Sequence, residues 1–446
     1  VEERSNEANP GLFRLAMKLA TGAGKTTVMA MLIAWHAINK ARRPNSKTFT
    51  DAFLIVVPGI TIKDRLRVLK PEAPDSIYQR LSIVPREMMD DLRKARIVIT
   101  NYHAFKKRSK VQIATGTKDV LRGREDEEEF AKRFEETDGE MIQRVMRSLI
   151  GRKGVIFIND EAHHCYQEKP GDEQAIARAE EETDAEARED AENNNKAARL
   201  WINGLRTVDA VIGVKQVYDL SATPFFLRGS GYREGELFPW VWVVSDFSLM
   251  DAIESGIVKV PRVPTHDDVI QRDEPIFRHI YKHIRKELSR RGRRTDGDMA
   301  AAQMPAQLEA ALMALYRDYV KTDEVWRDKK AETPPVYIVV CNNTTTSKMV
   351  YEWIAGYCTN PDADEEKQVW RVGNLPMFSN VVDDKPLGRR RTILIDSAQL
   401  ESGDAISGTF KEIASDEIEA FKRELRQRDP SRDVEKIDDA DILREV

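Results

Sequence analysis

Leu19-Ala-Thr-Gly-Ala-Gly-Lys-Thr-Thr27 is the stretch that decides the fold. A short apolar segment at residues 14–19 precedes it, and residues 28–38 are apolar at the spacing of a helix. Gly22 and Gly24 let backbone N–H groups approach an anion closely, and the positive end of the following helix favours negative charge. The stretch therefore predicts a phosphate-binding loop between a strand and a helix.

This loop predicts the ligands ATP and Mg²⁺. Lys25 is expected to reach the β- and γ-phosphates, and the Thr26 hydroxyl is expected to ligate Mg²⁺. The usual first glycine of the phosphate-loop pattern is replaced by Leu19. The alternative is a glycine-rich turn with a surface lysine, which the strand before and the helix after disfavour. The predicted nucleotide contacts are Thr21, Gly22, Ala23, Gly24, Lys25, Thr26 and Thr27.

Asp160-Glu161-Ala162-His163 directly follows a second apolar segment, at residues 154–159. Asp160 is predicted to hold Mg²⁺ through water, and Glu161 to polarise the attacking water as a general base. His163 is predicted to report the state of the nucleotide. The alternative is a polar helix N-terminus, where acidic residues are favoured in any case. The predicted catalytic residues are Lys25, Asp160, Glu161 and His163.

Ser221-Ala222-Thr223-Pro224 ends a further apolar segment, at residues 216–221. Small hydroxyl residues at a strand end can hydrogen-bond His163 and transmit the state of hydrolysis. An ordinary turn leading into Pro224 is the alternative, and the position of the motif after the first two favours coupling. Ser221, Ala222 and Thr223 are the predicted coupling residues.

Two other strand ends are predicted to contact a nucleic-acid backbone. Pro58 and Gly59 end one strand and are followed by Lys63, and Thr100 and Asn101 end another. Backbone amides and hydroxyls beside basic side chains suit a phosphodiester chain, with binding that is independent of sequence and sensitive to salt. For the isolated charges, a solvated face is the stronger interpretation.

The apolar segments predict an α/β fold with a parallel sheet covered on both faces, because strands alternate with helical stretches. In such sheets the ligand lies beyond the carboxyl ends of the strands, where all these motifs fall. The predicted domains are residues 1–260, with charged helical insertions at about 121–150 and 170–200, a helical linker at 261–334, and a second, partial domain at 335–446. Strands are predicted there at 336–341 and 392–396, a helix from Lys348, and a charged helix at 404–446.

The bulk composition excludes several classes of protein. The 446 residues carry 70 basic and 75 acidic side chains, a net charge of −5, so any nucleic-acid site must be a local basic patch. Three cysteines are too few for a disulfide framework and favour a reducing compartment. We find no signal peptide and no apolar stretch long enough for a membrane span.

Four of the tryptophans, Trp35, Trp201, Trp240 and Trp242, could stack on bases. Packing in a core or between domains is the stronger interpretation, and no function is assigned to them. The chain opens at Val1, with the phosphate loop only twenty residues later, so we expect a piece of a longer protein.

The order of motifs resembles that of superfamily 2 helicases and translocases of the DEAH type. Residues 20–26 match motif I, 160–163 match motif II and 221–223 match motif III. Five longer strings resemble the restriction (Res) subunit of type III restriction enzymes, at residues 58–66, 99–105, 158–165, 251–261 and 396–403.

The resemblance implies a RecA-like P-loop NTPase domain followed by a truncated second RecA-like domain. It also implies a DNA translocase in the prokaryotic cytoplasm that binds double-stranded DNA and a modification methyltransferase subunit and belongs to an endonuclease. Motifs V and VI and the nuclease site of the family are not found before Val446. We therefore expect weak hydrolysis from this piece, because a transition-state arginine is worth about 10³–10⁵ in rate.

Three other functions stay open on the sequence. An RNA helicase of the DEAH type would share motifs I to III. A nucleotide- or DNA-binding fragment without hydrolysis would share the loop but not depend on Glu161. A small-molecule phosphate-loop kinase is disfavoured, because it would not explain Asp-Glu-Ala-His and Ser-Ala-Thr together.

Overall fold

The computed structural model describes most of the chain. The described residues are 2–59, 62, 65–108, 135–167, 185–227, 230, 232–233, 235, 237–260, 280–285, 287–288, 304–330, 333–342, 344–360 and 367–395. The chain divides into two compact units, residues 1–260 and residues 261–446.

The described residues of the first unit form a six-stranded parallel sheet. Its order is β3-β2-β4-β5-β1-β6, and every pair of neighbours is parallel. With helices along the sheet, this is a RecA-like α/β arrangement, which confirms the predicted fold class for this unit. The strands are β1 (Arg14–Leu19), β2 (Ala52–Val57), β3 (Arg96–Asn101), β4 (Val155–Asp160), β5 (Val214–Ser221) and β6 (Val243–Phe247).

Helices connect these strands. The α-helices of the first unit are α1 (Glu2–Ala8), α2 (Lys25–Arg42), α3 (Ile77–Arg80), α4 (Met89–Leu92), α5 (Asp138–Met146), α6 (Ala185–Val211) and α7 (Leu249–Glu254). Short 3₁₀ helices lie at Leu66–Leu69, Arg86–Met88, Tyr102–Phe105, Arg147–Leu149 and Ala162–His164. Throughout the described part of the chain, no helix has both the length and the apolar character needed to cross a membrane.

The central strands are buried on both faces, because successive side chains of a strand point to opposite sides. On one face, Phe53 and Ile55 of β2 pack with Met29 and Ile33 of α2. On the other face, Leu54 and Val56 pack with residues of α5 and α6, such as Met141, Trp201 and Leu205. The predicted charged insertion at about 121–150 therefore contributes a helix, α5, to the core, whereas the residues of α6 that pack here follow the second predicted insertion, at about 170–200.

All five strands predicted in the first unit are present. β6 was not predicted, because its Val-Val-Ser-Asp-Phe segment is not closed by turn residues and its central residues are exposed. It pairs with β1 alone among the described strands, so burial on both faces is not required of it. An edge strand of this kind leaves a weak apolar pattern in the sequence.

The second unit has helices and two small antiparallel pairs in its described residues. The helices are α8 (Ile280–Ile284), α9 (Ala306–Asp328) and α10 (Thr344–Ala355), and the strands are β7 (Gly356–Cys358), β8 (Trp370–Val372), β9 (Val381–Val382) and β10 (Lys385–Pro386). Leu312 of α9 packs against Val350 and Ile354 of α10. The predicted helix from Lys348 is present and begins four residues earlier, at Thr344.

The strands predicted at 336–341 and 392–396 are wrong for the residues described there. Residues 336–341 and 392–395 belong to no strand, and Ile338 and Val340 are 77% and 90% exposed. A β-branched apolar run becomes a strand only with a neighbour that accepts its backbone hydrogen bonds and covers its side chains. Within the described part of the second unit neither segment has such a neighbour.

Other predictions for the second unit are tested only in part. Helices α8 and α9 lie within the range 261–334 that was predicted as a helical linker, whereas residues 261–279 and 289–303 lie outside the described residues. Residues 396–446, which include the string 396–403 and the predicted charged helix at 404–446, also lie outside them.

A buried histidine lies in the core between α2 and β5. His36 is 2% exposed, its Nε2 lies 3.3 Å from the Tyr218 hydroxyl, and Nδ1 has no hydrogen-bond partner among the described residues. Burial lowers the pKa of the His36 imidazole from 6.5 to about 4, and Lys215 adds to the effect. The folded protein therefore holds this side chain neutral.

His36 predicts a loss of stability in mild acid. As the pH falls from 6.5 towards 4, the unfolded chain takes up a proton at His36 that the folded chain does not, so the free energy of unfolding decreases. His36→Leu removes this contribution, and the wild type is expected to lose stability relative to the variant over that range in chemical denaturation. Ile33→Val, on the same buried face of α2, is the control with a pH-independent effect. A pH-independent difference between wild type and His36→Leu would contradict the assignment.

Candidate active site

Three neighbouring strands bring the predicted catalytic motifs to one edge of the sheet. β5 lies between β1 and β4, and it pairs in parallel with both. The register aligns Lys18 of β1 with Ser221, and Asp160 of β4 with Leu220. The segments that follow β1, β4 and β5 therefore leave the sheet at nearly the same level, although the sequence separates them widely.

The loop after β1 has the backbone of an anion cradle. Gly22 and Gly24 have φ angles of +84° and +95°, a backbone region that residues other than glycine rarely adopt. Gly24 is the N-cap of the 18-residue helix α2, whose first turn has no acidic residue. A Cβ on Gly24 would lie 3.7 Å from the Thr27 hydroxyl, which is an ordinary contact, so the positive φ and not the available space requires glycine there. The loop fits a phosphate group, which the positive end of α2 also favours.

Lys25 contacts both carboxylates that follow β4. Its Nζ forms an ion pair with Glu161, and it lies 3.9 Å from Oδ1 of Asp160. The Lys25 and Asp160 side chains are 14% and 10% exposed. Burial raises the pKa of the Asp160 carboxyl, and Glu161 adds to this, while Lys25 opposes it. Thr26 and Thr27 lie beside Lys25 in the first turn of α2 and are half-buried, while Thr21 is exposed.

Glu161 has a strained backbone. Its φ of +51° lies in the left-handed region, which is uncommon for a residue with a side chain. It joins the end of β4 to the 3₁₀ helix Ala162–His164, and its N–H donates to Oδ1 of Asp160 at 3.1 Å. Strain of this kind is found preferentially at functional sites, where the surrounding fold holds it in place.

His163 reaches the end of β5. Its Nδ1 lies 2.9 Å from Oγ of Ser221, which also accepts the N–H of Thr223 at 3.0 Å. Burial lowers the pKa of the His163 imidazole to about 4, and His164 adds to this, so the ring is neutral near pH 7. The contact between His163 and Ser221 is the one on which the predicted coupling depends. Ala222 lies within the same turn.

The predicted nucleic-acid residues lie at the ends of β2 and β3. Val57 pairs with Asn101, so Pro58 and Gly59 leave the sheet beside Thr100 and Asn101. Thr100 and Gly59 are buried, and Oδ1 of Asn101 accepts the Ala104 N–H at 3.1 Å as the cap of a 3₁₀ helix. Lys63 lies outside the described residues.

The 3₁₀ helix Tyr102–Phe105 is braced by α5. The Arg144 guanidinium donates to the carbonyls of Ala104 and Lys106 at 3.0 and 3.1 Å, and it forms an ion pair with Glu136 at 2.7 Å. Sequence patterns did not reveal this brace, because Arg144 lies in a mixed-charge segment where a solvated role was the simpler interpretation.

A buried charged pair was also missed. Arg14 of β1 and Asp219 of β5 are fully buried and joined by two hydrogen bonds, of 2.8 and 3.0 Å. The sequence signal that could have revealed the pair was one basic residue in one apolar strand and one acidic residue in another. Charged residues are almost never fully buried unless they are paired, so the two together indicate a pair.

Comparison with known proteins agrees with the geometry of this site. The family model described as type III restriction enzyme, res subunit, matches residues 1–205. This range includes the phosphate loop and the Asp160–His163 motif but ends before Ser221. No curated protein matches the chain. Residues 1–205 are therefore similar to a helicase-like P-loop ATPase domain.

Gly24 gives a direct test of the loop. Gly24→Ala places a side chain at φ +95°, which costs about 1–2 kcal/mol for an L-residue in the left-handed region. We expect relaxation of the loop and a loss of about tenfold or more in affinity for ATP with Mg²⁺, measured by equilibrium binding of a fluorescent ATP analogue.

Gly139→Ala is the matched control for this variant. Gly139 has no positive φ, and a Cβ there meets no atom within 4 Å. Its affinity for the analogue is expected to equal that of the wild type. Unchanged affinity in Gly24→Ala would show that the loop does not bind phosphate in this conformation.

Proposed function

We propose that this chain is the ATP-hydrolysing motor of a DNA translocase that resembles the Res subunit of type III restriction enzymes. The observation that carries the proposal is the meeting of Lys25 with Asp160 and Glu161 at one edge of the sheet. Lys25 begins the helix that follows β1, and Asp160 and Glu161 lie at the end of β4; β5 separates these two strands. A lysine and two carboxylates beside a glycine cradle have the composition needed for phosphoryl transfer to water.

Each residue of this cluster has a separate role in the proposal. The Gly22–Gly24 backbone and the N-terminus of α2 bind the phosphates, and Lys25 neutralises their charge. Thr26 and Asp160 would hold the magnesium ion. Glu161 orients the attacking water and accepts its proton. The bound Mg²⁺–ATP supplies the phosphoanhydride bond and the cation that offsets charge on its oxygens.

The ion pair of Lys25 with Glu161 implies a competition within the proposed site. Lys25 has one ammonium group, so an incoming phosphate and the Glu161 carboxylate compete for its three donors. Phosphate binding draws Lys25 towards the cradle and leaves Glu161 free to accept a proton. His163 and Ser221 then follow the movement of the Asp160–His163 segment, since their side chains are hydrogen-bonded.

The track for DNA is proposed at the other half of the same edge, along the ends of β2 and β3. Pro58 and Gly59 leave the sheet there, and Thr100 and Asn101 lie on the adjacent strand. Lys63, which lies outside the described residues, follows them in the sequence and is proposed to add positive charge. The Oδ1 of Asn101 already accepts the Ala104 N–H, so Nδ2 is the group of this side chain that can donate to a phosphate. Such contacts bind the sugar-phosphate backbone irrespective of base sequence.

The finer identity rests on the strings at 58–66, 99–105 and 158–165 and on the family match over residues 1–205. We propose double-stranded DNA as the track, a modification methyltransferase as a partner subunit, and a restriction endonuclease of the prokaryotic cytoplasm as the complete enzyme. We also propose that residues 261–334 link the motor domain to a second RecA-like domain that begins at residue 335.

The nucleic acid that stimulates hydrolysis distinguishes the proposal from an RNA helicase. Release of phosphate by the full-length protein is expected to rise with duplex DNA of any sequence, and to fall steeply as salt is raised from 50 to 200 mM, because several phosphate contacts are lost. RNA of equal length is the comparison. Stimulation by RNA alone would defeat the DNA translocase and favour an RNA helicase.

Glu161→Gln tests hydrolysis itself. The amide keeps the shape of the side chain but cannot accept the proton, so turnover is expected to fall by about 10²–10⁴-fold while ATP still binds. Glu87→Gln, an exposed glutamate in another part of the same unit, is the control and should turn over normally. A binding module without hydrolysis would show no difference between wild type and Glu161→Gln in phosphate release.

A further inference from the structure

We propose that Trp201 is a positioning residue that couples DNA binding at the ends of β2 and β3, through the adjacent Tyr102–Phe105 helix, to the Asp160–Cys165 segment. The proposal rests on the function proposed above. It assigns the coupling to a buried chain of hydrogen bonds on the face of the sheet opposite to α2. The residues of this chain are Trp201, Asn159, Asp219 and Arg14.

The chain of hydrogen bonds begins at the Trp201 indole. Its Nε1–H donates to Oδ1 of Asn159 at 2.8 Å, and Nδ2 of Asn159 donates to Oδ1 of Asp219 at 2.7 Å. Both Trp201 and Asn159 are fully buried. Asn159 is the residue directly before Asp160, so a change in its hydrogen bonds acts on the backbone that carries the predicted magnesium ligand.

The chain continues through Arg14 to the far end of the same segment. The Arg14 guanidinium binds both oxygens of Asp219, and its Nη2 also donates to the Cys165 carbonyl at 2.8 Å. The remaining arm, Nη1, donates to Asn9 at 3.1 Å. The segment from Asp160 to Cys165 is therefore held at both ends by one set of buried polar groups.

The Trp201 end of this chain of hydrogen bonds lies beside the proposed DNA track. The ring of Tyr102 stacks on Trp201 with 5.1 Å between centroids and 5° between planes. One turn along α6, a Cβ on Gly204 would come within 2.3 Å of the Phe105 ring. Helix α6 and the Tyr102–Phe105 helix are therefore in close contact at two points. Displacement of one by a bound phosphodiester chain must move the other.

Burial makes this chain stiff. Hydrogen bonds in a low dielectric are strong and polarise one another, and a buried polar group that loses its partner is costly. A shift of Trp201 is thus transmitted to Asn159 instead of being absorbed by water. Coupling through such contiguous networks is worth about 0.5–2 kcal/mol, which corresponds to about 2- to 30-fold in an equilibrium or a rate.

Trp201→Phe tests the coupling in the full-length protein. Phenylalanine retains a ring against Tyr102 but removes the N–H that Asn159 accepts. Basal kcat and KM for ATP are expected to stay within about twofold of wild type, and the affinity for duplex DNA likewise. The stimulation of kcat by DNA is expected to fall by about five- to tenfold.

Trp242→Phe is the matched control. Trp242 donates to the same Asp219 carboxylate at 3.0 Å, but it lies beyond β1, on the far side of the network from Tyr102. This variant should keep most of the stimulation by DNA. Equal loss of stimulation in both variants would mean that the network is only structural and would overturn the proposal, as would normal stimulation in Trp201→Phe.

A second variant keeps the test decisive if Trp201→Phe does not fold. Tyr102→Leu removes the stacked ring from the other side and should also lower the stimulation without changing basal kcat. Full stimulation in that variant would overturn the coupling. If the wild type itself is not stimulated by DNA, the proposed function fails and the coupling fails with it. If DNA stimulates the wild type and the variants equally, only the proposed coupling fails and the proposed function stands.

Discussion

The parallel register of β4, β5 and β1 is the constraint on which the site depends. Asp160 aligns with Leu220, and Ser221 aligns with Lys18, so three chain segments end level with one another at the carboxyl edge. A shift of one strand by a single residue would also turn its side chains to the opposite face of the sheet. The chemistry is therefore positioned by the packing of apolar strand residues on two faces and not by contacts within the site.

The buried pair of Arg14 and Asp219 reinforces this register. It joins β1 to β5, and Asn159 extends the contact to β4. Removing one partner of such a pair leaves an uncompensated charge and costs about 3–5 kcal/mol. Two apolar residues of similar volume could stabilise the sheet as well, so the polar pair is better explained by the specificity of its hydrogen bonds. Those bonds fix the strands relative to one another and reach the Cys165 carbonyl.

The sequence predicted the centre of the fold better than its periphery. Five apolar runs such as Ala52–Val57 read correctly as strands, because burial on both faces leaves a continuous apolar signal. β6 leaves no such signal. Residues 336–341 carry a strong strand pattern that no described neighbour completes. For the site, the glycines, lysine and carboxylates could be found from local motifs. The links between distant positions, such as Trp201 with Asn159, could not, because nothing in the sequence fixes which polar groups face each other.

A double-mutant cycle on Thr26 and Asp160 examines whether the first turn of α2 and the end of β4 hold one metal ion. The quantity to measure is the dissociation constant of ATP in the presence of Mn²⁺, by calorimetric titration of wild type, Thr26→Ala, Asp160→Asn and the double variant. If both side chains act on the same ion, the second substitution has little left to remove, and the two effects should fall short of additivity by about 1 kcal/mol or more. Strictly additive effects, or no effect of either substitution, would contradict a shared magnesium–nucleotide site.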